Sequence, residues 1–359
     1  MNFSEMLEDT KQVSYDDFII DSGGIADDII EMFTNSLAIE VKKVYENDIL
    51  ELQNKKTIRG TNLGLRKLNF GDISQASEVL SGQVAAVDGT FALPRQDYST
   101  GSALCVAIGS ASMTRILQDS LHYWSSSKAL RNAQDIDDFL DLIEEHIYKP
   151  NNTAFMRYFE AEHAIKIDEN FIFFDGLLCD EWLANTKEGS EIYRQLLEHP
   201  TKKYIGVIKN CKKNLIFSQY ARACPSGSIL LIETLHDHIS RRETETRFSL
   251  QSSKQQVRYF WQELSPRIIR GVFKPYKRAF GFEVLEDHLD DMLRLLAADA
   301  HMSQEGHEIP YLLNLVDGEI RRMFKRHKLL SDIALKMNQT SDSIYQEEWD
   351  EHAFRPQQV

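Results

Sequence analysis

Two aspartates carry the first hint of chemistry. Asp88 closes the apolar run Val84-Ala85-Ala86-Val87, and Asp175 closes Phe171-Ile172-Phe173-Phe174; a glycine follows each. Short runs of β-branched, aromatic and small residues read as buried strands, and Asp-Gly reads as a turn. Burying a lone carboxylate costs several kcal/mol, so an acid at the end of a buried strand needs a donor, a cation or a metal as partner. Either pair alone is ordinary turn chemistry. Two of them suggest carboxylates converging at one edge of one sheet, where α/β proteins place their sites.

Further acids fit the same locus. Glu160 and Glu162 lie on a helix expected over Ala154–Ile167, capped by Asn152-Thr153, just before the second aspartate strand. They stand ~200° apart on the helix, so one of them faces the site, and the helical wheel leaves the choice open. Asp317 ends Pro310-Tyr311-Leu312-Leu313-Asn314-Leu315-Val316 near the C-terminus. Four hard-oxygen ligands of this kind suit two Mg²⁺ or Mn²⁺ ions, which can activate water and stabilise the leaving oxygen of a phosphodiester. No P-loop, GxGxxG, HExxH or GxSxG motif accompanies them.

The elements that must hold these acids follow from periodicity. The first aspartate strand leads through Pro94 and Gly101 to a second apolar run, Ala103–Ile108, which predicts a hairpin. A third strand is expected within Met113–Trp124, and an amphipathic helix over Asp135–Tyr148. After the second aspartate strand come a helix around Glu191–His199 and a strand Tyr204–Ile208 ending at Lys209. Further strands are expected at Ile229–Ile232, Val257–Trp261, Ile268–Phe273 and Phe280–Val284, then helices at Leu285–Ala300 and Leu312–Leu330. An antiparallel start followed by parallel additions with helices is an α/β mixed sheet.

At the N-terminus, Ile29, Met32, Phe33, Leu37, Val41, Val44 and Leu52 keep a roughly 3.5-residue rhythm over Ile25–Lys55. This predicts a long helix, either a core-packing arm or a subunit contact. Residues 62–82 read as a connection. The expected organisation is an N-terminal helical arm (1–80), a main domain (81–330) and a polar tail (331–359).

Bulk composition excludes several classes. The 359 residues are 42% hydrophobic, with Lys+Arg 41 against Asp+Glu 55 and a net charge of −14, which excludes a generally basic nucleic-acid coat. Local charge runs the other way. Thr201–Lys213 has five lysines and no acid, and Lys254–Arg278 has seven basic residues against Glu263 alone. Tyr259, Phe260, Trp261, Phe273 and Tyr276 interleave with the second cluster, as single-strand binding requires, although a solvated face over core aromatics has the same pattern. The candidate DNA-binding cations are Lys212, Lys213, Arg258, Arg270, Lys274, Lys277 and Arg278. Cys105, Cys179, Cys211 and Cys224 show no zinc spacing and read as reduced packing residues of a cytoplasmic protein. His236-Asp237-His238 reads as a surface loop. No run of the sequence approaches the length of a membrane span.

In order along the chain, these stretches resemble the NurA-type nucleases, a family with an RNase H-like core. Val84–Thr90 resembles the family's first VDGS motif with Thr90 for Ser, and Phe173–Leu177 resembles its second Asp-Gly motif. Ile205-Gly206-Val207-Ile208-Lys209 resembles its G-V-x-K strand, Arg278–Val284 its R-x-E-V strand, and Gly306–Asp317 its closing element. Val316 replaces the usual Ala there, and Asp317 stands where many relatives have His. The resemblance implies Mn²⁺- or Mg²⁺-dependent DNA cleavage, by 5′-to-3′ exonuclease and single-strand endonuclease action on single strands and duplex ends. It also implies work beside a HerA-type hexameric ATPase translocase in DNA end processing or defence. Carried over, Asp88, a helix glutamate, Asp175 and Asp317 hold two metal ions, and Lys209 meets the phosphate. The family's spacing of Arg157 and Ala164 favours Glu160. A homodimer fits the apolar arm. Competing readings are a catalytically silent DNA-end or translocase adaptor and an RNA-cleaving relative.

Overall fold

The computed structural model describes residues 57–58, 61–62, 64–67, 76–98, 101–115, 118–125, 152–211, 217–218, 220–221, 224–246, 255–303 and 309–323. It also describes Asn35, Ile39 and Lys43. The chain divides into two compact units, Met1–Lys56 and Thr57–Val359. In the first unit, Asn35, Ile39 and Lys43 are helical and exposed. The residues of the apolar stripe lie outside the described residues, as do the helix expected over Asp135–Tyr148 and the C-terminal tail.

The second unit is the expected α/β mixed sheet flanked by helices. A small ribbon pairs β1 (Thr57–Ile58) with β2 (Thr61–Asn62). The main sheet contains β3 (Gly64–Lys67), β4 (Val84–Tyr98), β5 (Gly101–Ser112), β6 (Gln118–Ser125), β7 (Phe171–Asp175), β8 (Lys203–Ile208), β9 (Ser228–Thr234), β10 (Ile268–Lys274) and β11 (Phe280–Leu285). Their spatial order is β3-β9-β10-β11-β8-β7-β4-β5-β6. β4, β5 and β6 form an antiparallel meander, and β7 and β8 add parallel to β4. This is the antiparallel start with parallel additions expected of an RNase H-like sheet. β3 pairs with β9, so part of the stretch expected to be a connection is an edge strand.

Strand alternation assigns two faces. Ala85, Val87, Ile172, Phe174 and Tyr204 face one core, which α2 (Asn152–Lys166), α4 (Lys187–Leu197) and α6 (Gln255–Tyr259) cover. Val84, Ala86, Phe173, Ile205 and Val207 face the other, covered by α1 (Ala76–Leu80), α7 (Leu289–His301) and α8 (Tyr311–Met323). Between them, α3 (Glu181–Ala184) follows β7 and α5 (Leu235–Thr246) follows β9. Asp180 and Thr186 cap α3 and α4 by accepting the amides of Leu183 and Gly189.

Two expectations are corrected. Val257–Trp261 is not a strand: α6 runs into a π-helical turn at Phe260–Leu264. Its buried residues, Val257, Phe260, Trp261 and Leu264, recur at helical rather than alternating spacing, which a short apolar run disguises. His236-Asp237-His238 is not a surface loop but the first turn of α5. His238 is buried there, between Glu233 and Glu181. Cys179, Cys211 and Cys224 are free thiols in the core. No helix among the described residues is long and apolar enough to cross a membrane.

Candidate active site at the ends of the parallel strands

Asp88 does not end its strand. β4 continues to Tyr98 because β5 stays paired with it, from Ala85↔Ser112 to Tyr98↔Gly101. The turn expected at Asp88-Gly89 is thus replaced by continuous strand. On its other side β4 pairs with β7 only as far as Val87↔Phe174. The interval from Val84 to Phe171 equals that from Asp88 to Asp175, so the same register sets the two aspartates side by side where β7 stops. There the chain does turn. Gly176 takes φ +109°, a conformation that favours glycine, and its amide donates to the Val207 carbonyl at 2.8 Å.

Lys209 follows directly on β8, and its Nζ pairs with Asp175 Oδ2 at 2.6 Å. Glu160 arrives from α2, through a gap in β4. Gly89 lies on the α2 face, and a Cβ there would stand 2.6 Å from Glu160 Oε1 and 2.7 Å from Met156 Cγ. The missing side chain is what admits the glutamate. Glu160 is 1% exposed. Its Oε2 accepts from Arg157 Nη1 at 2.6 Å, while Oε1 is buried beside Gly89 with no well-formed hydrogen bond among the described residues, the Gly89 backbone N–H exerting only a weak pull on the carboxyl. Glu162 points elsewhere and pairs with Lys166. Asp317 arrives from α8 and pairs with Arg321 Nε at 2.7 Å.

Electrostatics place these groups at one locus. Burial first, then the charges of Asp175, Glu160 and Asp317, push the Asp88 carboxyl well above the usual carboxylate range; Lys209 partly offsets them. Burial also raises Glu160, against the pull of Arg157. Four acids and one lysine from five separate elements therefore share one field. Three of those acids each hold a cation of the chain itself.

The donor set is four carboxylates, the hard oxygens that Mg²⁺ or Mn²⁺ takes. As the side chains stand, no three His, Cys, Asp or Glu among the described residues form a group that could hold a metal ion. Glu160 Oε1, buried without a well-formed hydrogen bond, is the atom of this set that a divalent cation would satisfy.

The proposed DNA-binding cations scatter. Lys277 is exposed, and Arg278 donates from Nη2 to the Lys209 carbonyl at 3.1 Å, which places both at the site end of the sheet. Arg270 is corrected: at 2% exposure it is interior, paired with Glu283 at 2.9 Å and Glu233 at 3.5 Å. Lys274 is buried too. Arg258 is exposed but lies toward the opposite end of β8. Its neighbour Tyr259 bonds Glu198, which leads into the strand's first residue, Lys203. Phe260, Trp261 and Phe273 are core residues, not a stacking platform. Lys212 and Lys213 lie outside the described residues.

Sequence reading missed the supports. Glu283 Oε2 accepts the amides of Leu178 at 3.0 Å and Cys179 at 3.4 Å, which holds the loop after Asp175. Gly206 lets that loop cross closely, since a Cβ there would meet the Leu178 nitrogen at 2.2 Å. The signal was available: Arg270 and Glu283 each interrupt an apolar strand with a charge, and they face one another across β10 and β11.

Known proteins offer limited comparison. No family model and no curated protein matches the sequence. Among solved structures the chain is similar to the NurA nuclease from Sulfolobus solfataricus, with TM-score 0.46 and 10% identity over 89% of this chain and 99% of that one. A NurA bound to dAMP and manganese gives TM-score 0.38 and 10% identity over 81% and 92%. An endonuclease V from Bacillus subtilis gives 0.33 and 12% over 68% and 82%. Likenesses this distant carry no functional argument, which rests on the site itself.

Proposed function

We propose that this chain is a metal-dependent nuclease that hydrolyses DNA phosphodiester bonds. The observation that carries the reading is the convergence of Asp88, Glu160, Asp175 and Asp317 with Lys209, around a glutamate oxygen buried without a well-formed hydrogen bond. In this reading the four acids hold two Mn²⁺ or Mg²⁺ ions, which supply an activated water and stabilise the leaving oxygen. The chain's own residues do the rest. Asp88, whose carboxyl burial and the neighbouring acids shift toward its protonated form, would ionise more readily beside a bound cation. Lys209 aims its ammonium at charge developing on the phosphate. Arg278 fixes the Lys209 backbone, and exposed Lys277 meets the nucleic-acid backbone. β7, β8 and the antiparallel hairpin fix the geometry, so little reorganises at the moment of reaction.

The finer assignments of 5′-to-3′ exonuclease and single-strand endonuclease action, a HerA-type hexameric translocase as partner, and a role in end processing or defence rest on the resemblance carried by the ordered motifs; the homodimer rests on the N-terminal apolar stripe and the cytoplasmic setting on the unpaired cysteines. One assay tests the reading. Single strands and duplexes of DNA, and matching RNA, labelled at either end, are incubated with Mn²⁺ and wild type or Asp88→Ala. Metal-stimulated DNA cleavage by wild type alone is expected. Equal cleavage by both proteins overturns the site, cleavage of RNA alone overturns the substrate, and no cleavage with metal-independent DNA binding favours the silent adaptor.

A further inference from the structure

We infer that Arg157 is the built-in counter-cation of the acid cluster, which the first metal ion must displace from Glu160. This rests on the metal-dependent reading above and deepens it. The three ion pairs in the site are not equivalent. Asp175 and Asp317 each have side chains 22% exposed, so water can replace Lys209 or Arg321 as they open. Glu160 is 1% exposed and has no such exchange. One of its oxygens holds Arg157, and the other, beside Gly89, has no well-formed hydrogen bond among the described residues.

Arg157 is itself confined. Its Nη2 lies 2.2 Å from where a Gly176 Cβ would stand, so the guanidinium fills the space beside the residue that follows Asp175. It reaches from Glu160 on the α2 side toward the second aspartate. Gly176 is what makes that room, besides permitting the turn. A dication bound by Glu160 and Asp88 would stand against this guanidinium, and like charges a few ångström apart in a buried setting repel strongly. The guanidinium must therefore turn away from Glu160 as metal enters. The Arg157 side chain is 17% exposed, and on that side a phosphate oxygen would receive its fork-shaped donors. In the metal-free protein Arg157 keeps a buried carboxylate from standing alone; in the loaded protein it is free to hold substrate.

Calorimetric Mn²⁺ titration of the full chain, without DNA, tests this. Arg157→Gln should bind Mn²⁺ at least roughly tenfold more tightly than wild type, because no cation is displaced. Arg157→Lys, with a single-point contact, should fall between them. Thermal melting supplies a readout that a merely structural role would not move. In EDTA, Arg157→Gln should melt below wild type, and saturating Mn²⁺ should narrow that gap. Equal or weaker Mn²⁺ binding by Arg157→Gln, or a gap that Mn²⁺ leaves unchanged, overturns the inference. Should Arg157→Gln fail to fold, Mn²⁺ binding by Arg157→Lys at or below the wild-type affinity overturns it. A wild type that binds Mn²⁺ and cleaves DNA while the variants bind no tighter defeats this inference alone. A wild type that neither binds Mn²⁺ nor cleaves defeats the nuclease reading with it.

Discussion

Gly89 contributes by what it lacks. Any side chain there meets Glu160 Oε1 and Met156 at less than contact distance, with Ile108 Cδ1 at 3.0 Å closing the third side. Gly89→Ala should therefore displace Glu160 and lower cleavage by about 10²-fold, since a misplacement of one ångström costs that much. Overpacking should cost about 1–3 kcal/mol in stability. Steady-state cleavage with denaturant unfolding checks both, and an active Gly89→Ala would mean that Glu160 is not needed where it stands. Lys209 contributes by what it adds. One lysine among several cations changes phosphate attraction little, while an ammonium aimed at developing charge is worth about 3 kcal/mol in the transition state. Lys209→Ala should lower turnover about 10²-fold and leave DNA affinity nearly unchanged. Weaker binding with normal turnover at saturation would reduce Lys209 to a surface contact.

Elements hold these residues through two buried acids outside the site. Glu283 on β11 ties down the loop after Asp175 and neutralises Arg270. Glu283→Gln leaves Arg270 the longer Glu233 contact and the face of the Phe217 ring, so it should cost less than the about 3–5 kcal/mol of an uncompensated buried charge. Amide exchange at Leu178 and Cys179 should accelerate in this variant; unchanged protection would mean that the loop is held by something else. Asp299 on α7 is fully buried, and its carboxylate accepts the Leu312 amide at 3.2 Å at the start of α8, the helix that carries Asp317. Burial pushes its pKa up to about 8, against the pull of the Leu312 and Tyr311 amides. The folded state therefore keeps a proton that the unfolded chain releases near pH 4. Stability contributed by this group is full below that pH and is lost as pH rises toward 8, by at most about 1.4 kcal/mol per unit. Asp299→Asn should flatten that slope between pH 5 and 8 in urea unfolding of the metal-free protein. A slope equal to that of wild type would show that Asp299 is ionised throughout.

At the scale of the molecule, the apolar stripe over Ile25–Lys55 predicts a homodimer. Leu37→Glu with Val41→Glu puts two unpartnered charges into that seam and should weaken it by several kcal/mol. Light scattering at tens of micromolar checks this, roughly where a standard-size interface is saturated. A wild type that stays monomeric returns the stripe to the core of one subunit. Residues 57–67 belong with the sheet unit rather than with the arm, because β3 completes one edge of the sheet against β9.

The sequence by itself determined the two aspartate strands and the acids they bring. Val84–Val87 and Phe171–Phe174 are apolar on both faces because helices cover both faces, and such runs are legible one residue at a time. It also fixed the equal interval that becomes the register between β4 and β7. Only the tertiary structure set Glu160 rather than Glu162 beside Asp88, because that placement depends on a gap in another strand, at Gly89. Only the fold turned Arg270 from a surface cation into an interior partner of Glu283, and made Val257–Trp261 helical. A charge in an apolar run shows that a partner exists, but the partner lies in a distant part of the chain, and no local pattern names it.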